Sequence, residues 1–147
     1  MGKTDMNYIY NNLYNISRNK IVLEYAFASN VYVPSDSSCG IYVNNASVFI
    51  ENNTFLTAGT TRQFSSIKYK NCWGLQVVNN LFKQLGVSTI CISCQDDLTG
   101  SVFNTSLNGV IMGNRCSSIE NSTKPQLLDS RQDVSTWKVS NNIPWNE

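Results

Sequence analysis

Apolar and polar residues recur along the chain in a fixed order: an apolar residue, two spacers, an Asn, one spacer, and a residue able to fill a core. Ile50, Asn53 and Phe55 are one example, and the order occurs six times at intervals of 18 to 34 residues. Such a repeat is typical of a chain wound into stacked coils, so it predicts a solenoid of about six coils. The recurring Asn residues are Asn12, Asn30, Asn53, Asn80, Asn114 and Asn142. The apolar residues before them are Ile9, Phe27, Ile50, Val77, Ile111 and Val139.

A second pattern, of alternating apolar pairs, precedes the first and predicts one strand in each coil. Residues two apart in a strand share a face, so each pair points inward and the residue between them points outward. Each coil is therefore predicted as a strand, a bend, a second strand, the Asn bend, a core-filling residue and a loop. The inward pairs are Ile21 and Leu23, Ile41 and Val43, Ile67 and Tyr69, and Ile90 and Ile92. The residues predicted to point outward are Val22, Tyr42, Lys68 and Cys91.

Stacking the coils in register places equivalent residues about 4.8 Å apart along the axis, so like side chains form columns. The Asn residues are predicted to form a ladder, in which each carboxamide hydrogen-bonds the backbone of the neighbouring coils. An aliphatic column is predicted through Ile21, Ile41, Ile67 and Ile90. A column of core-filling residues is predicted through Tyr14, Tyr32, Phe55, Phe82, Cys116 and Pro144.

Composition favours strands over helices. The chain has 20 Asn among 147 residues, and Asn disfavours helix interiors but tolerates left-handed conformations at bends. The alternative is a leucine-rich-repeat-like horseshoe, whose core positions are matched by Val48, Ile50, Asn53 and Phe55. Three features of the sequence argue against the horseshoe. Asn45 stands where that repeat has its leading leucine, the intervals between successive repeats are irregular, and no helical pattern follows each repeat. An all-β parallel β-helix is therefore the preferred prediction.

Length and charge limit the number of domains and the classes of partner that the chain can have. The chain is predicted to form a single domain over residues 1–147. Its net charge of +1 comes from scattered basic residues, which leaves no electrostatic footprint for nucleic acid. No apolar run approaches the roughly 20 residues that span a membrane. Neither end offers an obvious capping helix, which favours a part of a longer chain or of an oligomer.

Five cysteines form an odd set: Cys39, Cys72, Cys91, Cys94 and Cys116. Cys91 and Cys94 have the spacing of half a zinc site, but no second pair follows and the chain contains no His. The cysteines are therefore predicted to be small buried hydrophobes, with no metal or other cofactor. The missing His also excludes a Ser-His-Asp or Cys-His catalytic arrangement.

With these repeats, the chain resembles the right-handed parallel β-helix (pectate-lyase-like) superfamily, and is most similar in pattern to the shaft regions of bacteriophage tailspikes. The resemblance covers roughly residues 5 to 145 and implies a right-handed coil. It also implies an extracellular or virion-tail protein directed at polysaccharide. Phage members of the superfamily are homotrimers that bind or cleave capsular or O-antigen polysaccharide, and plant-pathogen relatives are lyases or hydrolases acting on pectin.

One coil carries an insertion that is a candidate for chemistry. The stretch between its two predicted strands spans 17 positions, against 6 in the coil before, and the extra residues emerge near 95–106. It opens with Asp96 and Asp97, similar to the adjacent Asp pair of pectinase-like galacturonases, whose accompanying His motif is missing here. Glycoside hydrolysis needs two carboxyl groups about 5 to 9.5 Å apart, so the hypothesis pairs these residues with each other, with Glu51 or with Glu120. The competing interpretation is a solvated acidic turn.

Sugar binding calls for exposed aromatic side chains, because these stack on the apolar faces of pyranose rings. Trp73, in the bend after the third inward pair, and Tyr42 are the main candidates, with Lys68 and Lys70 beside them. Lyase chemistry would need such a basic residue and clustered carboxylates, which are not evident. Trp137 aligns with inward residues and is predicted to be core. Two functions remain open: a surface β-helix that recognises, and with Asp96 and Asp97 depolymerises, a bacterial polysaccharide, or a purely structural shaft or trimerisation module.

Overall fold

A computed structural model of the chain describes residues 13–24, 39–59, 65–86, 90–94, 106–118, 126–128 and 134–143. Within these ranges the chain forms thirteen strands and no helix, and all pairings between them are parallel. The prediction of an all-β parallel solenoid is confirmed. The horseshoe alternative is wrong, because the described chain returns through further strands rather than through helices.

The thirteen strands form three sheets, and every third strand belongs to the same sheet. Sheet A contains β1 (Leu13–Ser17), β4 (Ser47–Glu51), β7 (Gln76–Val78), β10 (Val110–Met112) and β13 (Lys138–Ser140). Sheet B contains β2 (Lys20–Glu24), β5 (Thr54–Gly59), β8 (Leu81–Gly86) and β11 (Arg115–Ser118). Sheet C contains β3 (Cys39–Asn44), β6 (Ser65–Lys70), β9 (Ile90–Cys94) and β12 (Gln126–Leu128). Each winding adds one strand to each sheet, so the described strands make four windings, and β13 begins another.

The core consists of side-chain columns that run through the sheets. In sheet A, Ile50, Val77 and Ile111 are in register and fully buried. In sheet B the rings of Phe55 and Phe82 stack with centroids 5.0 Å apart, above Ile21 on one side and Cys116 on the other. Burying each large apolar side chain contributes roughly 1.5 to 3 kcal/mol. The columns therefore stabilise every winding through its neighbours.

The predicted aliphatic column is corrected at two positions by the register. Ile21 belongs to sheet B, opposite Phe55, and not to the column of Ile41 and Ile67. The reason is a third strand in each winding, since the stretch after the core-filling residue, predicted as loop, pairs with the next winding as sheet B. Within sheet C, the column continues to Ile92 rather than Ile90.

Tyr14 is also corrected. It was predicted to fill the core beside Phe55, but it lies on β1 opposite Val48 and is 53% exposed. It stands at the outer edge of sheet A, where no described strand covers it. Tyr32 and Pro144, predicted for the same column, lie outside the described residues.

Two kinds of corner occur among the described residues. The Asn corner, between sheets A and B, comprises residues 18–19, 52–53, 79–80, 113–114 and 141–142 and is two residues long in every described winding. The variable corner lies between sheets C and A, and its described residues are 45–46, 71–75, 106–109 and 134–137. The insertion predicted near residues 95–106 lies, except for Ser106, outside the described residues.

Candidate functional site

The Asn corner holds a continuous ladder of carboxamides. Asn80 shows the pattern: its Oδ1 accepts from the main-chain N of Asn53 at 2.9 Å and from Asn53 Nδ2 at 3.1 Å. Its Nδ2 donates to the carbonyl of Ile50 at 2.8 Å and to Asn114 Oδ1 at 3.1 Å. Asn53, Asn114 and Asn142 repeat these contacts with their own neighbours. The ladder thereby satisfies buried corner amides that water does not reach.

The first residue of the ladder in the described chain is one the sequence analysis missed. Asn19 donates its main-chain N–H to Asn53 Oδ1 at 2.9 Å. It also fits the sequence pattern, because Ile16 stands three positions before it and Ile21 two positions after. Its separation from Asn53, 34 residues, equals that between Asn80 and Asn114. Asn12 and Asn30, which were predicted for the ladder, lie outside the described residues.

A row of left-handed residues stands directly before the ladder. Its φ angles lie between 54° and 67° at all five positions, with Arg18 at 59°. Asn and Gly tolerate this region best, which explains why Asn doublets recur at the corner. The row consists of Arg18, Asn52, Asn79, Gly113 and Asn141.

The outer face of sheet C holds one strongly exposed aromatic ring. Tyr42 is 54% exposed, whereas Lys68, its register partner in the next winding, is only 6% exposed. Lys68, which was predicted to point outward, is therefore covered rather than exposed to solvent. Burial raises the pKa of the Cys39 thiol, and the nearby Lys68 ammonium group opposes that rise. Lys70 is half-buried at the end of β6, opposite Asn44.

The variable corner begins where the strands of sheet C end. Trp73 is half-buried there, its main-chain oxygen accepts a hydrogen bond from the Ser47 hydroxyl, and it bridges to Leu107 in the next winding. Asp96 and Asp97 follow β9 by two and three residues and lie outside the described residues. Trp137 is buried, as predicted, and its Nε1 donates to the carbonyl of Ser106 at 3.2 Å.

Glu51 is not close to this corner along its strand. It ends β4, whereas the variable corner precedes Ser47, so the strand separates them by about 13 Å. Its Oε1 accepts a long contact of 3.4 Å from Asn15 Nδ2. In the described ranges the only other acidic residue is Glu24, on sheet B. The described chain therefore does not pair Glu51 with a second carboxylate, and Glu120 lies outside it.

No group of three or more His, Cys, Asp or Glu side chains suited to a metal occurs in the described part of the chain. No helix there has the length and apolar character needed to cross a membrane.

Two features had no counterpart in the sequence analysis. The outward face of sheet A carries half-buried apolar side chains: Phe49, Val78, Val110 and Met112. Cys91 was predicted to point outward in its strand and also, like the other cysteines, to be a small buried hydrophobe. Only the second prediction is confirmed, since Cys91 is fully buried, and the contact of its Sγ with that of Cys116 at 3.1 Å was not predicted. Alternation in β9 failed to identify this contact because consecutive residues, Cys91 and Ile92, are both buried.

Comparisons of the chain with protein-family models, with curated proteins and with solved structures found no match. The proposed function is therefore derived from the residues of the candidate site alone.

Proposed function

We propose that the chain is a solenoid module that binds a bacterial polysaccharide of the capsular or O-antigen type. The contact surface is the outer face of sheet C together with the adjoining variable corner. The observation that carries the proposal is the exposed ring of Tyr42, held on a rigid parallel sheet. Trp73 and Lys70, from the next winding, supply a second aromatic group and a cation near the same corner.

The geometry suits an extended ligand. Successive windings lie about 4.8 Å apart, so the surface offers a periodic array to a polymer that is itself periodic. Loops on a rigid scaffold often carry function, and Asp96 and Asp97 belong to the insertion predicted from the sequence after β9. Depolymerisation by these two carboxylates is the catalytic form of the proposal. An extracellular or virion-tail location goes with it, because such polysaccharides lie outside cells.

Binding can be measured by affinity electrophoresis against a panel of capsular and O-antigen polysaccharides. Tyr42→Ala is expected to weaken binding about five-fold or more, because a lost aromatic contact is worth about 1 kcal/mol. Val22→Ala, an exposed apolar truncation on sheet B, is the matched control. Equal binding by the two variants would remove the sheet C surface from the proposal.

Hydrolysis is a separate test on the same panel. Release of reducing ends is expected to be lost in Asp96→Asn and in Asp97→Asn while polysaccharide binding persists. If both variants kept full activity, the catalytic assignment would be wrong and only the binding proposal would stand.

A second candidate function is a structural shaft that assembles as a homotrimer. It is favoured by the apolar outer face of sheet A. On that face Val78 and Met112 form one column. In the neighbouring column, Phe49 and Val110 lie on either side of Gln76. Light scattering is expected to give three times the chain mass, and Val110→Asp should shift it to the monomer. A wild-type monomer at high concentration would exclude this candidate.

A further inference from the structure

Two buried thiols from different sheets meet inside the solenoid. Cys91 lies on β9 of sheet C and Cys116 on β11 of sheet B, 25 positions apart, with their Sγ atoms 3.1 Å from each other. Both side chains are fully buried. A disulfide needs a sulfur–sulfur distance of about 2.05 Å, so an approach of about 1 Å would join them. By contrast, Cys72 Sγ faces main-chain carbonyl oxygens, those of Lys70 at 3.2 Å and Val43 at 3.6 Å.

We propose that Cys91 and Cys116 form an internal disulfide when the protein folds in an oxidising environment. The bond links the winding that contains β9 to the next one, which contains β11. It also closes a covalent loop of the chain between positions 91 and 116, which are 25 residues apart. These two cysteines are then a structural cross-link rather than two inert core residues.

The chemistry is thiol–disulfide exchange with a low-molecular-mass disulfide, such as oxidised glutathione. One cysteine thiolate attacks a glutathione sulfur, which forms a mixed disulfide and releases one glutathione thiolate. The second cysteine thiolate then attacks the protein sulfur of the mixed disulfide and expels the other glutathione. In total, two cysteine thiols are oxidised and one glutathione disulfide is reduced to two glutathione thiols, which take up the two protons.

The fold determines when this exchange occurs. The reacting species is the thiolate, and the hydrogen bond with Cys91 together with burial raises the pKa of Cys116. A fully buried pair is also closed to a tripeptide. Exchange therefore proceeds while the two windings are still open, and the finished solenoid then shields the bond from reductants.

The decisive measurement is made on the wild-type chain. It is unfolded in reductant, refolded with a mixture of oxidised and reduced glutathione, alkylated in denaturant and digested for mass analysis. The expected result is three alkylated cysteines, a mass lower by two hydrogen atoms before alkylation, and one peptide pair joined through Cys91 and Cys116. Five alkylated cysteines, or a bond between any other pair, would overturn the proposal.

Stability gives an independent measurement. Cross-linking a loop of this length is expected to raise Tm by about 5 to 10 °C relative to protein refolded in reductant. The shift should vanish in Cys91→Ala and in Cys116→Ala and persist in the matched variants Cys72→Ala and Cys94→Ala. An equal shift in all four variants would contradict the assignment. None of these results depends on polysaccharide binding, so this inference and the proposed function can fail separately.

Discussion

The Asn corner and the variable corner join neighbouring sheets in different ways. At the Asn corner every described winding turns in two residues, and the same side chain makes the same hydrogen bonds each time. At the variable corner, the described strands of sheets C and A are separated by 2, 5, 15 or 9 residues in successive windings. The difference shows that corner length is fixed where buried amides depend on a repeated partner.

Hydrogen bonds at the variable corner are particular to each winding. Cys72 donates its main-chain N–H to the Ser106 hydroxyl at 2.8 Å, whereas Asn108 donates to the Thr136 hydroxyl at 3.3 Å. Because no single side chain has to recur, an insertion changes local contacts and leaves the adjoining windings in register. This makes the variable corner the place where a new function can be added at low cost in stability.

Inserting one residue into each corner tests this difference most directly. A Ser inserted between Asn79 and Asn80 should displace one carboxamide from the ladder and destabilise the protein by on the order of 5 kcal/mol or more. A Ser inserted between Ser135 and Thr136, both exposed at the variable corner, should cost less than about 1 kcal/mol, because lengthening such a corner by one residue changes its closure entropy little. Denaturant unfolding of the two proteins measures the contrast, and similar losses would refute it.

The next largest effect is expected from removing one carboxamide without changing the chain length. Asn80→Ala leaves Asn53 N–H, Asn53 Nδ2 and the Ile50 carbonyl without their partner in a buried corner. At about 1 to 3 kcal/mol for each unsatisfied group, a loss of roughly 4 kcal/mol is expected. Asn79→Gly is the control, since Asn79 is exposed at φ 54° and Gly113 holds the same place in the next winding. A loss in the control as large as in Asn80→Ala would mean that the ladder is not what holds the corner.

A smaller, steric effect is expected at the variable corner. A Cβ on Gly109 would overlap the Trp137 ring, which also contacts Tyr69 with centroids 5.5 Å apart. Gly109→Ala should therefore displace Trp137 and cost about 1 to 3 kcal/mol. Tryptophan fluorescence and thermal unfolding would report both changes. Gly74→Ala, where a Cβ meets nothing within 4 Å, is the control for backbone strain alone, and an unchanged fluorescence spectrum in Gly109→Ala would contradict the expectation.

The smallest effect is a gain in stability at the Asn corner. Arg18 is exposed and occupies a left-handed conformation with φ 59°, where other windings have Asn or Gly. Arg18→Asn is expected to stabilise the protein by about 0.5 to 1 kcal/mol. Arg18→Ala removes the same charge without relieving the strain and should give no gain in Tm. A gain in both variants would assign the effect to charge instead.

The parts of the fold that could be predicted are those in which one residue type recurs. Asn53, Asn80 and Asn114 mark the corner because only a short carboxamide can both accept from one winding and donate to the next. The third strand of each winding was not predicted, since its outward residues are mixed. Because this third strand was not predicted, Ile21 was placed in the wrong column, and the fit of Asn19 to the repeat pattern was overlooked.

The burial of Lys68 and the contact of Cys91 with Cys116 could not be predicted from alternation. Alternation assumes that one face of a strand meets water, but residues 65–69 of β6 are all buried. Which side chains are covered then depends on segments distant in the sequence. The candidate polysaccharide-binding surface could not be predicted from alternation either, because exposed aromatic residues do not recur at a fixed spacing in the sequence.

The hydrogen bonds of the ladder make the windings interchangeable units. Asn53 and Asn80 are 27 residues apart, and deleting residues 53–79 would remove one strand from each sheet while bringing Asn80 beneath Asn19. The chain can therefore be shortened or extended by whole turns through simple genetic deletion or duplication. In such a solenoid the number of turns sets the length, independently of the side chains on its outer faces.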